Sequence, residues 1–325
     1  MSDLRAPDSI EAQVRDVMNV NPADPASRQM ARRVVEALGR GGVSEARSRM
    51  LDRQVLALAQ ADPGSAKTWS ELQRLASKAH ELDAALPAPR KGFLGRLLPP
   101  ARRSPEQAQT TIEEMDAAVS ALTSSAEVLR QNDVALDGYE ADLVEELQRV
   151  EGDVQRADEL YAALTEAVRQ ARVDGTPEDV VRFVQREVLD VLEGQRLHLQ
   201  ELLAVDQQAA MALAFLRDNN TLLIGHVRQI TLAAKQSLAL ARTFGRHAPQ
   251  VSANEGPQAL DAGGAAQDTA EVVGALQESM DQLFAALDAH DAWRREVTVQ
   301  TQEAVTELRD LSAEVFEDMA SGVSS

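Results

Sequence analysis

IEEMDAAVSALTSSAEVLRQNDVALDGYEADLVEELQRVEGDVQRADELYAALTEAVRQA, residues 112–171, is the stretch whose reading decides the fold. Every seventh residue from Met115 gives Leu122, Leu129, Leu136, Leu143, Val150, Ala157, Leu164 and Ala171. The series three positions earlier gives Ile112, Val119, Ala126, Asp133, Glu140, Leu147, Val154, Tyr161 and Val168. These are the two seam positions of a heptad, and the frame holds without a slip. A continuous helix here would be roughly 90 Å long at 1.5 Å per residue. A strict seven-residue repeat keeps one stripe facing a partner helix, so it predicts coiled-coil-like packing. Two carboxylates, Asp133 and Glu140, interrupt the seam.

Two further stretches repeat the pattern. From Pro177 to Phe244 one seam reads Leu202, Ala209, Leu216, Leu223, Ile230, Ser237 and Phe244, and its companion Leu199, Asp206, Leu213, Asn220, Val227, Ala234 and Ala241. Gly194 and Gly225 are the candidate breaks in that helix. From about Thr269 to Met319 the seams pair Val273, Met280, Leu287, Arg294, Thr301, Leu308 and Val315 with Leu276, Leu283, His290, Val297, Ala304, Leu311 and Asp318. Each helix turns polar partway along. The expected fold is therefore all-α: an elongated antiparallel bundle or coiled-coil stalk with a small N-terminal helical cap. A polar layer is expected at Asn132, Asp133, Glu140, Asn219, Asn220, His290 and Arg294, with Asp133 or Glu140 facing His290 or Arg294. Polar seam residues of this kind fix register at some cost in stability.

The punctuation of the chain divides it further. Residues 1–20 read as a flexible N-terminus or a short helix, and residues 21–89 as a bundle of three short helices separated by Gly39, Gly41 and Gly42 and by Asp62-Pro63-Gly64. Residues 90–105 form a basic Gly/Pro hinge, and 106–245 hold two long helices. A flexible linker is expected at 246–267, a long C-terminal helix at 268–320 and a disordered tail at 321–325. Ser104 and Pro105 make a helix start, and Thr176 and Pro177 another.

Composition narrows the function. The 325 residues are 44% hydrophobic but only 3% aromatic, with a formal net charge of -19. Such a field repels nucleic-acid phosphates, so no nucleic-acid partner is expected. The chain has no cysteine, which excludes disulfides, thiolate metal sites and thiol redox chemistry. No apolar h-region follows Met1 and no uncharged apolar run nears the ~18 residues of a membrane span, so a cytoplasmic protein is expected.

Charge reverses in one place. Arg90, Lys91, Arg96, Arg102 and Arg103 surround Phe93, Leu94, Leu97 and Leu98 without an acid between them. One reading is a hinge whose cations dock on the chain's own acidic helices. The other is an interfacial element for anionic lipid, each cation near such a surface contributing ~1 kcal/mol. The acids Asp137, Asp142, Glu145, Glu146, Glu151, Asp153, Asp158 and Glu159 read as a solvated helix face.

Phosphate loops, dinucleotide fingerprints and nucleophile elbows are absent. None of the five histidines (His80, His198, His226, His247, His290) follows an acid by three residues or another histidine by four. No catalytic residue, cofactor or metal is expected.

Gly92-Phe93-Leu94-Gly95-Arg96-Leu97, followed by a long helix with Leu129-Arg130-Gln131-Asn132-Asp133-Val134-Ala135-Leu136, resembles the tellurite or toxic-anion resistance (TelA-like) family. That family's Asp-Asn-x-x-Leu is inverted here to Asn132-Asp133. Asp218-Asn219-Asn220-Thr221-Leu222-Leu223-Ile224 is similar to its Asn-Asn-x-x-Leu-Ile element. Lys235-Gln236 stands where an Ile-Pro-x-Trp-Lys-x-Gln motif is usual, without the Pro and Trp. The likeness runs from about Gly41 to Glu314. It implies a cytoplasmic bacterial protein of tellurite and stress resistance, with no enzymatic activity attached and with other tellurium-resistance proteins as partners. The expectation is a non-catalytic scaffold acting through protein partners. The alternative is a helical stalk at the inner membrane face, docked through residues 90–103. The seams are compatible with closure within one chain or in a homo-oligomer.

Overall fold

A computed structural model describes residues 9–38, 41–61, 63–84, 105–253 and 262–322. Among these residues there is no strand. The order is α1 (Ile10–Met18), α2 (Pro25–Leu38), α3 (Gly41–Ala61), α4 (Pro63–Asp83), α5 (Pro105–Val173), α6 (Glu178–Phe183), a π-helical stretch (Val184–Leu189), α7 (Asp190–Ala253) and α8 (Ala262–Gly322). The fold is an all-α bundle of long packed helices. No helix of the described residues is long and apolar enough to cross a membrane.

The seam of α5 is the deepest part of the packing. Every member of the series from Met115 to Ala171 is at most 7% exposed. The companion series is buried at Ile112, Val119 and Ala126 and again at Val168, but only half buried from Asp133 to Tyr161. The other flank is buried at Ala118 and Ser125 alongside those companion residues, and at Glu146 and Leu160 where the companion series is only half buried. A helix in a bundle has more than one neighbour, so its buried face is wider than a two-stranded seam.

The chain separates into two compact units. The first takes residues 1–60, 137–215 and 301–325; the second takes 61–136 and 216–300. Helices α5, α7 and α8 contribute to both. The short helices do not group into a bundle of their own. Val17 of α1 and Ala31, Val34 and Val35 of α2 belong to a core with Leu160 and Leu164 of α5 and Leu192 and Leu199 of α7. Leu72, Leu75, Ala79 and Leu82 of α4 belong to the second unit's core, with Met115 and Leu122 of α5, Ile230 of α7 and Met280 of α8.

Cross-helix contacts give the directions. In the second unit, Asp116 meets Arg242 at 3.0 Å and Asp133 meets Asn220 at 3.1 Å, so α5 and α7 run antiparallel. Ser237 meets Ser279 at 2.9 Å, and His226 lies 5.5 Å from His290, so α7 and α8 do likewise. In the first unit, Asp158 meets Arg196 at 3.5 Å and Arg172 meets Gln185 at 2.7 Å, again antiparallel.

Several expected boundaries move. Residues 10–18 are helical rather than frayed: Ser9 Oγ accepts from Ala12 N–H at 3.2 Å, and Val17 is fully buried. The second helix starts at Pro25, capped by Asp24, whose carboxylate accepts from Ala26 N–H and Ser27 N–H. Helix α5 ends where Gly175 takes a φ of 73° and Thr176 N–H reaches the Ala171 carbonyl, the left-handed stop that favours glycine. At α6, Pro177 stands as N-cap without a side-chain hydrogen bond, so Thr176 and Pro177 do not cap it by side chain. The irregularity in the next long helix is the π-helical stretch at 184–189, not Gly194 or Gly225, which sit inside α7 with open space beside them. Packing of the flanking seam holds the helix through both glycines. Finally, α7 continues to Ala253 and α8 begins at Ala262, narrowing the linker expected at 246–267.

Candidate functional site

Asp133, the first interruption of the heptad, has a partner in the second unit. Asn220 Nδ2 donates to Asp133 Oδ1 at 3.1 Å and to the Leu129 carbonyl at 3.0 Å. One seam amide thus ties α7 to both side chain and backbone of α5. Asn132 and Asn219 are half buried beside this pair. Glu140, one heptad after Asp133, belongs to the first unit.

Asp133 pairs with Asn220, and the contacts of His290 and Arg294 are with aromatic rings instead. His290 is 2% exposed and is surrounded by aromatic rings. Its ring centroid lies 5.7 Å from Trp69 of α4, 5.5 Å from His226 of α7 and 5.4 Å from Trp293. His226 stacks on Trp293 at 5.1 Å. The Arg294 guanidinium lies 3.7 Å from the Trp69 ring centroid while the residue stays exposed. A seam arginine can keep its charged head in water and its cation on an indole face, so it needs no buried acid. Both tryptophans of the chain therefore meet two of its five histidines in one cluster. The His290 Nδ1 and Trp293 Nε1 are buried without a hydrogen-bond partner. Burial holds His290 neutral, pushing its pKa down to about 4, with His226 and Arg294 acting the same way and Asp291 opposing. Burial lowers His226 as well.

The first unit holds a layer of the opposite kind. Ser48 and Asp52 of α3, Glu146 of α5, Asp206 of α7 and Ser312 of α8 are all buried. Ser48 Oγ donates to Asp206 Oδ2 at 3.0 Å, and Ser312 Oγ donates to Asp52 Oδ2. Glu146 is fully buried, not part of the solvated acidic face. It lies three residues after the seam residue Leu143, on the flank that α3 approaches. Arg149 bonds both of its carboxylate oxygens, and Arg47 Nε stands 3.4 Å from Oε2 while its Nη2 reaches Glu145 at 3.1 Å. Burial pushes the Asp206 carboxyl up to about 7; the Ser48 bond opposes this, Glu146 and Asp52 reinforce it, and Arg149 again opposes. Burial raises Asp52 too, against its bond from Ser312 and the nearby charge of Arg53.

Of this layer the heptad reading exposes only Asp206, a carboxylate at a seam position. Asp52 and Ser48 are four apart on a short helix with Leu51 and Val55, a spacing that places all four on one face. That spacing was the available signal. An open groove on the outer side of α3 is lined by Glu45, Arg49, Met50 and Arg53, and the Arg49 guanidinium sits 4.6 Å over the Phe316 ring. Among the described residues no group of three or more His, Asp or Glu could hold a metal ion. Arg90, Lys91, Phe93, Leu94, Arg96, Leu97, Arg102 and Arg103 lie outside the described residues.

A model of the toxic anion resistance protein (TelA) family matches residues 31–256. No curated protein and no solved structure matches the chain.

Proposed function

We propose a function for a chain that belongs to the toxic anion resistance protein (TelA) family: it is a non-catalytic helical scaffold that contributes to resistance by holding protein partners. The observation that carries this reading is where unspent apolar surface lies. On α7, Leu197, Met211 and Phe215 are 42–52% exposed, and their spacing of fourteen and four residues puts them on one helix face. Large apolar side chains aligned on one exposed helix face are suited to a partner. The buried polar groups are better suited to fixing register than to chemistry, since Asp206 is fully buried and His290 nearly so. Without cysteine the chain has no thiolate with which to reduce or capture an oxyanion, and its net charge of -19 works against anion binding.

The test is affinity purification from tellurite-stressed cells of the native chain and of Phe215→Ser with Met211→Ser, alongside the resistance phenotype. The scaffold reading expects a folded variant that loses a stoichiometric partner and resistance together. Resistance retained without the partner, or tellurite reduction by the purified chain alone, contradicts it. A second reading rests on the basic segment 90–103 and makes the partner an anionic membrane. Flotation with anionic vesicles, comparing the native chain with Arg/Lys→Glu changes in that segment, decides it; no flotation of the native chain removes this reading.

A further inference from the structure

Helix α3 grips its unit through a face that is half polar. Ser48, Leu51, Asp52 and Val55 are each at most 2% exposed, whereas the α5 seam is apolar at every position from Met115 to Ala171. Its two polar fastenings are reciprocal: α3 donates through Ser48 to Asp206 on α7, and accepts at Asp52 from Ser312 on α8. A serine hydroxyl has one hydrogen, so each serves a single carboxyl oxygen. The other oxygens, Asp52 Oδ1 and Asp206 Oδ1, are buried with no hydrogen-bond partner. A carboxylate left half unsatisfied in the interior is costly, and a neutral carboxyl much less so.

The neighbouring charges do not supply the missing compensation. Arg149 is taken up by Glu146 on α5, and Arg47 of α3 by Glu146, Glu145 and Asp142. Arg53 of α3 acts on Asp52 only through space, and no ion pair joins Asp52 or Asp206 to a cation among the described residues. Glu146 brings a further negative charge to the layer, and Asp153 lies near Glu146 and Arg149 on α5.

We propose that this layer is a proton-operated clasp: α3 is docked while Asp52 and Asp206 carry protons, and loss of those protons to solvent as the pH rises releases α3 from α7 and α8. The direction agrees with the raised pKa values of both groups, that of Asp206 reaching about 7. Released, α3 uncovers Leu51, Val55 and the helix faces they cover, so the apolar surface that the first unit offers depends on pH near neutrality. The clasp does not depend on the scaffold reading.

Hydrogen exchange with mass-spectrometric readout on the full chain tests it, at pH 5.5 and pH 8.5 after correction for the intrinsic chemical rate. A carboxyl with a folded pKa of about 7 weakens docking roughly 30-fold between those values. Peptides within 41–61 are expected to lose protection by that factor as the pH rises, whereas α4 peptides within 63–83, which pack on His290 through Trp69, are expected not to share that loss. Asp206→Asn, which mimics the protonated acid, is expected to shrink the loss of α3 protection between the two pH values to the part that Asp52 contributes. Equal α3 protection at the two pH values overturns the proposal. So does an equal loss in α4, or an unchanged pH response in the variant. If Asp206→Asn does not fold, the native chain at the two pH values decides the matter alone.

Discussion

The two units solve the same problem, polar residues inside long helix seams, with opposite chemistry. The first buries carboxyls, Asp52, Glu146 and Asp206, fastened by serines and arginines. The second buries an imidazole among indoles, with Asn220 bridging to Asp133 one step away. Burial disfavours the charged form in both, but the charged form is the deprotonated one for aspartate and the protonated one for histidine. The same physical effect therefore gives the units opposite responses to pH. Fixing register needs only a polar group with a partner; the choice of acid or base decides in which direction the register can be unlocked.

The largest expected effect is this opposition. Asp206 binds its proton more tightly folded than unfolded, so its stabilising contribution is complete below about pH 4 and gone above about pH 7. At most it amounts to about 4 kcal/mol. His290 binds its proton less tightly when folded, so its contribution is present above about pH 6.5 and lost as the pH falls to about 4. Its ceiling is about 3 kcal/mol. Hydrogen exchange from pH 4 to 8 should show the first unit losing protection as the pH rises and the second losing it as the pH falls. His290→Phe should weaken only the acid arm, and Asp206→Asn only the alkaline one, with His226 and Asp52 accounting for what remains.

A middle-sized effect separates the two layers without pH. Asn220→Ala removes the bonds to Asp133 and to the Leu129 carbonyl and should cost about 1–2 kcal/mol. The loss should be local to the second unit, read as faster exchange near 129–136 and 216–224 with the α3 peptides unchanged.

The smallest effect treats the units alike. Gly194 lies in the first and Gly225 in the second, both within α7 and both with nothing within 4 Å of an added Cβ. Gly194→Ala and Gly225→Ala should each stabilise by about 0.5–1 kcal/mol in denaturant melts. A destabilising result at either would mean that the glycine is needed for a close approach there.

Much of the bundle is legible in the sequence because burial of an apolar helix stripe is a one-dimensional signal. The series from Met115 to Ala171 predicts its own burial, and Leu202, Ala209, Leu213, Val227 and Ala234 do the same on α7. The heptad does not record a second neighbour on the other flank, so Glu146 looks like one more acid on a wet face. It is buried because α3 arrives there with Arg47. The Asp133–Asn220 contact follows from two polar residues in facing seams. The pairing of His290 with Trp69, His226 and Trp293 joins three helices far apart in sequence, and no local period encodes it. Arg294 occupies a seam position, yet its length and its cation–π contact keep it exposed.

The most direct measurement is a carbon-13 carboxyl titration of the native chain, with the Asp206 resonance assigned by Asp206→Asn. The expected midpoint for Asp206 is near 7, the pH at which the loss of α3 protection levels off. A midpoint near 4, in the ordinary range of an aspartate, would contradict it.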